Sequence, residues 1–269
     1  MNIGSEITPV LLTYNEEANI ERTLQSLSWA QDIVVVDSLS RDATFSILKK
    51  FPRVRIFQRA FDSHEAQWNF ALMRTAVKTP WVLALDADYL LSEELVRELR
   101  ALEPEARIFG YRASFIYRVG GYPLRASVYP AVTILYKREN AVYVQDGHTQ
   151  RVRIAGDVGD LKGRVYHDDR KSFRTWIEAQ KRYMKLEVAK LTGDPRPLNL
   201  PDRIRCLRIV APPAVFVYCL FGKRLILDGV PGIVYSFQRT LAESILSFYL
   251  VRRDFQRLKS LLFCMIRRS

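Results

Sequence analysis

The sequence predicts an α/β protein with a doubly wound, mostly parallel sheet, followed by a helical and strongly basic region. Short runs of Val, Ile and Leu alternate with segments of helical spacing over the first third of the chain. Such strand–helix alternation is typical of a parallel sheet with helices on both faces. The last hundred residues lose this alternation and read as helices throughout.

Four runs rich in apolar residues are predicted as strands of this sheet, and they lie at 7–13, 33–36, 54–57 and 81–85. Those at 33–36 and 81–85 are predicted to be buried, and the one at 7–13 to be central. The second run ends at Asp37, and the fourth is followed by Asp86 and Asp88. In open α/β sheets, ligands bind at the carboxyl ends of the strands. Tyr14, Asp37, Asp86 and Asp88 are therefore expected to converge on one site.

Three helices are predicted between these strands. Asn15 is expected to cap the first, which carries Ile20, Leu24 and Leu27 at helical spacing. The second follows the loop 38–42 and runs to about Lys50, and the third covers roughly 64–76. Together with the strands, these helices complete the predicted alternation.

Beyond residue 108 the pattern changes twice. Strand-like segments at 108–117, 132–136 and 151–154 are broken by Gly and Pro, and helical spacing begins near residue 172. We therefore predict a catalytic domain over residues 1–170 and a helical basic region over residues 171–269.

The positive charge is confined to the second of these regions. The chain has a net charge of +12; residues 1–170 hold 22 basic and 22 acidic side chains, whereas residues 171–269 hold 19 and 7. The apolar segments at 209–221 and 230–251 are too short, or too interrupted by charge, to span a bilayer. This combination predicts helices lying on an anionic membrane surface. A second helical subdomain packed on the catalytic domain is the alternative, and a nucleic-acid partner is not expected.

The opening residues lack the basic and long apolar segments of a signal peptide. The three cysteines have no metal-ligand spacing and are expected to be reduced. These features predict a cytosolic location, and together with the basic helices they predict a peripheral protein at the cytoplasmic face of a membrane.

The pair Asp86 and Asp88 is the most informative feature of the chain. Their side chains lie on the same side of an extended backbone, and paired carboxylates repel each other unless a cation or a hydrogen-bond donor stabilises them. Carboxylate oxygens suit Mg²⁺ or Mn²⁺ shared with substrate phosphates. An isolated Asp-x-Asp could equally be an acidic turn, so the neighbouring motifs decide.

Four ordered motifs resemble those of the inverting family 2 glycosyltransferases, which have the GT-A fold. The motifs are Leu-Leu-Thr-Tyr-Asn-Glu-Glu17, Val-Val-Val-Asp-Ser-Leu-Ser-Arg-Asp-Ala-Thr44, Gln67-Trp-Asn69 and Leu-Asp-Ala-Asp88. The resemblance covers about residues 7–170 and is greatest to the branch with lipopolysaccharide-core glucosyltransferases. It implies a Rossmann-like sheet and transfer of a sugar from a nucleotide donor, with UDP favoured, to a lipid-linked or cell-envelope glycan acceptor.

The resemblance also implies a donor site. Asp37 would hydrogen-bond the base or ribose, with a turn cap as its alternative role, and Asp86 would face the ribose or a metal-bound water. The other donor-binding residues that it implies are Thr13, Tyr14, Glu16, Gln67 and Asn69. Trp68 stands where many members have Lys or Arg, and a purely structural role is its alternative.

The same resemblance implies Asp88 as the metal ligand that bridges Mg²⁺ or Mn²⁺ to the diphosphate, together with Asp86. His167 is the third predicted ligand, with an ordinary loop histidine as the alternative. Asp168 and Asp169 could simply cap the helix that begins near Ser172.

Inversion requires a base that deprotonates the acceptor hydroxyl. Asp146 is the candidate, because Thr149 occupies the position of the Glu in the Val-His-Glu motif of related members if His148 aligns with its His. A plain turn at Gly147 and His148 is the alternative.

Two further classes of function remain. A sugar nucleotidyltransferase uses a related sheet but needs a Gly-rich loop after the first strand, and the loop 13–17 has no glycine. A non-catalytic, membrane-associated binding protein could keep the sheet without the chemistry. Loss of the carboxylates would favour that class, and both are present.

Overall fold

A computed structural model describes residues 3–146, 149–193 and 198–266, with the side chains of 145–149 and 261–266 left out of the description. The described chain divides into two compact units. One contains residues 3–145 and 149–171, and the other contains residues 172–193 and 198–266. Each is described by itself below.

The first unit holds the strands and four helices. The strands are β1 (Ile7–Thr13), β2 (Ile33–Asp37), β3 (Val54–Gln58), β4 (Trp81–Asp86), β5 (Tyr89–Leu91), β6 (Ile108–Val119), β7 (Tyr122–Pro123), β8 (Val132–Lys137), β9 (Ala141–Asp146), β10 (Thr149–Ile154) and β11 (Asp157–His167). The helices are α1 (Ile20–Ser26), α2 (Thr44–Leu48), α3 (His64–Arg74) and α4 (Glu93–Ala101).

The central sheet confirms the α/β class. Its strand order in the described residues is β3-β2-β1-β4-β8-β6-β11-β5, with β7 paired to β6. The strands from β3 to β4 are parallel. Beyond them the sheet is mixed, because β8 runs antiparallel to both β4 and β6, whereas β11 is parallel to β6. The four apolar runs of the sequence therefore form the parallel half, whose carboxyl ends share one edge.

Three strands of the parallel half, β1, β2 and β4, are almost completely buried on both faces, as their continuous apolar runs indicate, whereas β3 at the edge of the sheet is only partly buried. On one face, Leu11 and Leu83 join the core that includes Leu24 of α1 and Leu95 of α4. On the other face, Val10, Val34 and Val82 pack with residues of α3. Successive residues of a strand point to opposite faces, which explains why Val10 and Leu11 belong to different cores.

The prediction that Asn15 caps the first helix is wrong. Asn15 has a left-handed backbone conformation, with φ of 54°, and its Oδ1 accepts a hydrogen bond from the Arg41 backbone N–H at 2.8 Å. The helix α1 begins later, after Asn19. An Asn side chain tolerates this conformation and bonds to a neighbouring backbone, so Asn15 ties the loop after β1 to the loop after β2.

The second unit is helical, as the spacing from residue 172 predicts. Its helices are α5 (Phe173–Gly193), α6 (Leu200–Arg205), α7 (Ala211–Val217) and α8 (Val230–Ile266). Met184 and Leu191 of α5 pack against Leu246 and Leu250 of α8.

A buried ion pair joins α6 to α8. The Arg205 guanidinium donates to both carboxylate oxygens of Glu243 at 2.8–3.2 Å. Glu243 is buried, and a buried carboxylate requires a partner of opposite charge. Arg205 is that partner within the unit. Within residues 3–146, 149–193 and 198–266, none of the helices has both the length and the apolar character that a bilayer crossing needs.

Candidate active site

Two strand ends place the carboxylate pair beside a histidine. β4 ends at Asp86, β11 ends at His167, and β5 pairs with β11 so that Tyr89 lies opposite His167. The Nε2 atom of His167 is 3.1 Å from Oδ2 of Asp88. The structure therefore brings two of the three predicted metal ligands, Asp88 and His167, into contact beside the strand that ends at Asp86.

Tyrosine rings surround the imidazole of His167. The ring centroids of Tyr89, Tyr117 and Tyr129 lie 5.4, 4.6 and 5.2 Å from that of His167. The hydroxyls of Tyr89 and Tyr129 are 2.5 Å apart, and Nδ1 of His167 is buried without a hydrogen-bond partner in the described residues. These aromatic neighbours hold the ring in place and leave its Nε2 facing Asp88.

The two carboxylates have different electrostatic surroundings. Burial, followed by repulsion from Asp88, raises the pKa of Asp86 to about 6. Burial would also raise the pKa of Asp88, but His167 and Lys171 lower it below its ordinary value. Asp88 is thus the better stabilised anion of the two, and Asp86 holds a charge that is only partly compensated.

The residues present fit a divalent cation. In the described ranges, no three His, Cys, Asp or Glu side chains form a ready-made metal cluster, and His167 is a hydrogen-bond partner of Asp88. However, Mg²⁺ is commonly bound by one or two carboxylates together with substrate phosphates and water. The partly compensated charge of Asp86 beside Asp88 is what such a cation would neutralise.

The end of β2 is anchored by a buried carboxylate. Thr13 Oγ1 donates to Asp37 Oδ1 at 3.0 Å, and the Ser40 backbone N–H donates to Oδ2 at 3.0 Å. The Ser40 hydroxyl lies 2.5 Å from Oδ1. Asp37 therefore closes the turn after β2, which was its alternative role, and its part in donor binding stays a prediction. Tyr14, in contrast, is half exposed at this edge.

The helix α3 holds Gln67 and Asn69 by hydrogen bonds. Gln67 is buried and donates to Ser38 Oγ at 2.8 Å. Asn69 bonds to both the backbone N–H and the carbonyl of Tyr143, at 3.1 and 3.2 Å. Trp68 stacks on the Tyr143 ring, with centroids 5.0 Å apart. Trp68 is thus a packing residue, and Asn69 ties α3 to β9.

A lysine that the sequence analysis left without a role belongs to this site. Lys171 Nζ lies 2.5 Å from Glu16 Oε1, and Asn19 Nδ2 donates to Glu16 Oε2 at 2.9 Å. Glu16, Asp169 and Asp88 together raise the pKa of Lys171 above its ordinary value, despite burial. Lys171 therefore supplies a fixed positive charge near the carboxylate pair. The only sequence signal was its place in the run His-Asp-Asp-Arg-Lys171.

The suggestion that Asp168 and Asp169 cap the following helix is wrong. Asp168 is buried and accepts hydrogen bonds from Arg22 at 2.9 Å and from Arg170 at 2.8 Å. Asp169 accepts from Asn19 Nδ2 at 2.9 Å. These bonds tie the segment after β11 to α1, because a buried carboxylate requires such partners.

The structure does not describe the side chain of the predicted catalytic base. Asp146 is the last residue of β9, but its side chain lies outside the described residues, as do Gly147 and His148. The role of Asp146 stays a prediction.

A pH dependence of stability follows from Glu16. Burial and the Asp88 charge outweigh Lys171 and raise the pKa of Glu16 from 4.5 to about 7. Between these values the folded chain binds a proton that the unfolded chain has released, so the free energy of unfolding falls as the pH rises. We expect the contribution of Glu16 to this loss to be at most about 3.4 kcal/mol. The loss should be smaller in Glu16→Gln, where the raised pKa of Asp86 still contributes. Urea unfolding at several pH values in a chelator tests it; equal slopes for both proteins would contradict it.

Comparison with known proteins finds a family model that matches about half of the chain. Residues 9–139 match the model of the family described as glycosyl transferase family 2. An uncharacterized glycosyltransferase of Rickettsia bellii (strain RML369-C) is 30% identical over 147 residues, which are 52% of this chain and 49% of that protein. The match thus spans about half the length of that relative.

A longer match extends to the helical region. The lipopolysaccharide core biosynthesis glycosyltransferase LpsC of Rhizobium meliloti (strain 1021) is 22% identical over 250 residues, covering 86% of this chain and 89% of LpsC. Among solved structures, S. aureus TarS 1-349 in complex with UDP-GlcNAc has a TM-score of 0.48 and 14% identity. That match covers 93% of this chain and 91% of TarS 1-349.

Proposed function

We propose that the chain is a member of glycosyl transferase family 2, whose model matches residues 9–139, and that it transfers a sugar from a nucleoside diphosphate donor to an acceptor hydroxyl with inversion. The observation that carries this proposal is the pair Asp86 and Asp88 at the end of β4, with His167 on Asp88. These anions suit a metal-assisted departure of a diphosphate. The donor is a UDP-sugar in this proposal.

The carboxylates would hold Mg²⁺ or Mn²⁺ together with the donor, Asp88 as the principal ligand and Asp86 beside it. A bound divalent cation supplies neutralisation of the charge that develops on the leaving nucleoside diphosphate. His167 orients Asp88 through its 3.1 Å contact, whether or not it also reaches the cation. Lys171 adds a second positive charge near the same oxygens.

The donor nucleotide would occupy the edge formed by the ends of β1 and β2. Tyr14 offers an exposed ring there, and Thr13 and Asp37 shape the floor below it. Glu16 would border the nucleotide on one side, where its carboxylate is paired with Lys171. Gln67 and Asn69 contribute mainly by holding Ser38 and Tyr143 in position. The acceptor hydroxyl needs a base, and we propose Asp146 for that role.

The acceptor that we propose is a lipid-linked or cell-envelope glycan. The match to LpsC, whose name describes lipopolysaccharide core biosynthesis, supports this choice. The loop after β1 has no glycine that could cradle a triphosphate, which disfavours a sugar nucleotidyltransferase. The intact carboxylates disfavour a non-catalytic binding protein.

Thermal unfolding with a panel of nucleotide sugars tests the donor. We expect one nucleotide sugar to raise the Tm when Mn²⁺ or Mg²⁺ is present, because a ligand at about 100 times its Kd adds about 2.7 kcal/mol. The same compound in a chelator is the control and should give a much smaller shift. If instead a nucleoside triphosphate stabilises the protein and no nucleotide sugar does, the result would contradict our proposal and indicate a sugar nucleotidyltransferase.

We also propose that the enzyme works as a peripheral protein on an anionic membrane, at the cytoplasmic face of the inner membrane. The excess of basic side chains in residues 171–269 supports this location, because each Lys or Arg near anionic headgroups contributes about 1 kcal/mol. We expect high salt to release the protein from vesicles that contain anionic lipid, since salt screens this attraction. Binding that is equal at low and high salt would contradict an electrostatic attachment.

A further inference from the structure

The helix α8 has a second apolar face that its own unit leaves largely exposed, although Phe237 on this face also contacts Phe216 of α7, with ring centroids 5.3 Å apart. Six of its large apolar side chains are between 37% and 72% exposed and follow one another at spacings of 4, 3, 11, 7 and 3 residues. We call them the outer stripe: Val230, Val234, Phe237, Phe248, Phe255 and Leu258. Since these spacings are close to multiples of the helical period, the six side chains lie along one side of the helix.

The remaining positions of the stripe continue the pattern. Leu241 and Val251 are half-buried and occur at the same helical spacing between Phe237 and Phe255. From Val230 to Leu258 the stripe is about 42 Å long, at 1.5 Å per residue. Such a length of exposed apolar surface is unusual for a helix that faces only water.

The opposite side of α8 already has its packing partners. Tyr235, Ala242, Leu246 and Leu250 are almost completely buried, and Leu246 and Leu250 contact α5. Glu243 on that side is held by Arg205. The buried contacts of α8 within the unit therefore lie mainly on this opposite side, and the exposure of the outer stripe points to an external partner.

The charges beside the stripe indicate which partner that is. Between residues 252 and 259 there are four basic side chains, those of Arg252, Arg253, Arg257 and Lys259. The one acidic side chain there, Asp254, is paired with Arg208 at 3.0 Å. Two copies of the stripe aligned in parallel would bring these cations together, whereas a bilayer with anionic headgroups would complement them.

We propose that the outer stripe lies flat in the interface of an anionic membrane, with its Phe side chains below the headgroups and the neighbouring Arg and Lys among them. Apolar faces of such helices reach about 5–10 Å into the bilayer, which is enough to accommodate Phe side chains. This inference rests on the proposed membrane association and identifies the surface responsible for it. A flat arrangement requires both ends of the stripe to touch lipid.

Two Phe residues at the two ends provide the test. Phe237 and Phe255 are 60% and 68% exposed, and they are 18 residues apart, so about five turns separate them and both face the same way. Phe61→Ser in the catalytic unit, where Phe61 is 51% exposed, is the matched control. The measurement is cosedimentation of the full chain with vesicles of phosphatidylcholine containing about one third phosphatidylglycerol.

We expect Phe237→Ser and Phe255→Ser each to weaken binding about 10-fold, and Phe61→Ser to leave it unchanged. Loss in Phe237→Ser alone would overturn the flat arrangement, since only one end of the stripe would then contact lipid. Wild-type binding that neither variant weakens would overturn the stripe as the contact surface. Absence of wild-type binding would instead refute the membrane association itself.

Two further measurements complete the test. Donor hydrolysis by the stripe variants should match the wild type, which separates the membrane surface from the catalytic proposal. Sedimentation equilibrium without lipid should show no self-association through the stripe. A wild-type dimer that Phe255→Ser dissolves would overturn the proposal in favour of a second copy of this chain.

Discussion

Replacement of Asp88 by Asn is expected to lower kcat by about 10³-fold, the largest effect on activity of any single change at this site. Asp88 is the better stabilised anion of the pair, and its loss would remove the principal ligand for a cation at the donor diphosphate. The charge on the leaving group would then lack its main neutralising partner. Transfer from the donor that the thermal screen identifies, measured with saturating Mn²⁺, gives the comparison.

The Asp88→Asn variant should remain folded, so that its inactivity can be interpreted. An Asn side chain can still bond to His167, and removal of one of two neighbouring negative charges relieves the repulsion on Asp86. Asp160→Asn is the matched control, because Asp160 pairs with Arg112 on the surface and is 68% exposed. If Asp88→Asn had a metal-dependent kcat near that of the wild type, this result would contradict the proposed mechanism.

Asp168→Asn is expected to cost about 3 kcal/mol in the free energy of unfolding, the largest stability effect that we foresee for a polar change. The Asp168 side chain is 1% exposed and pairs with Arg22 and Arg170. Arg118 lies 4.0 Å from the same carboxylate. Neutralising Asp168 therefore removes the anion that these guanidinium groups share, and above all that of Arg22 and Arg170. Both are partly exposed and recover some hydration, so the expected cost is at the low end for a broken buried pair.

Urea unfolding of Asp168→Asn and Asp160→Asn distinguishes a buried from an exposed carboxylate. The second variant should change the free energy of unfolding by less than about 1 kcal/mol, as exposed ion pairs do. Because Asp168 immediately follows His167, its loss should also raise the KM for the donor. A cost for Asp168→Asn no greater than that of Asp160→Asn would show that this network does not stabilise the fold.

Much of the parallel half of the sheet is readable from the sequence. The bounds of β1, β2 and β3 agree with the predicted runs to within one residue. For β1 and β2 the reason is that strands buried on both faces require continuous apolar sequence. The helix after β1 was misplaced at its start. Asn is a common helix-capping residue, but the side chain of Asn15 joins two loops instead. It accepts a hydrogen bond from the backbone N–H of Arg41, which is 26 residues away in sequence.

The sequence predicts the site residues that lie at the ends of strands. It does not predict the contacts between side chains that are distant in sequence. Asp86, Asp88 and His167 could be proposed from motif order. The Lys171–Glu16 contact joins residues 155 apart in sequence, and the Asn69–Tyr143 bonds join residues 74 apart. No local pattern encodes these partners, because a side chain's neighbours depend on how the strands are ordered in the sheet.

The sequence by itself determined the α/β class, the acidic pair at the end of β4, the resemblance to family 2 glycosyltransferases and the concentration of positive charge in the last hundred residues. These properties depend on composition and local order, which the chain carries before it folds. Only the tertiary structure decided that Asp168 is a buried anchor, that Lys171 is the cation near Asp88, and that one side of α8 is left apolar and exposed. Each of these depends on burial, and burial is set by which distant segments pack together.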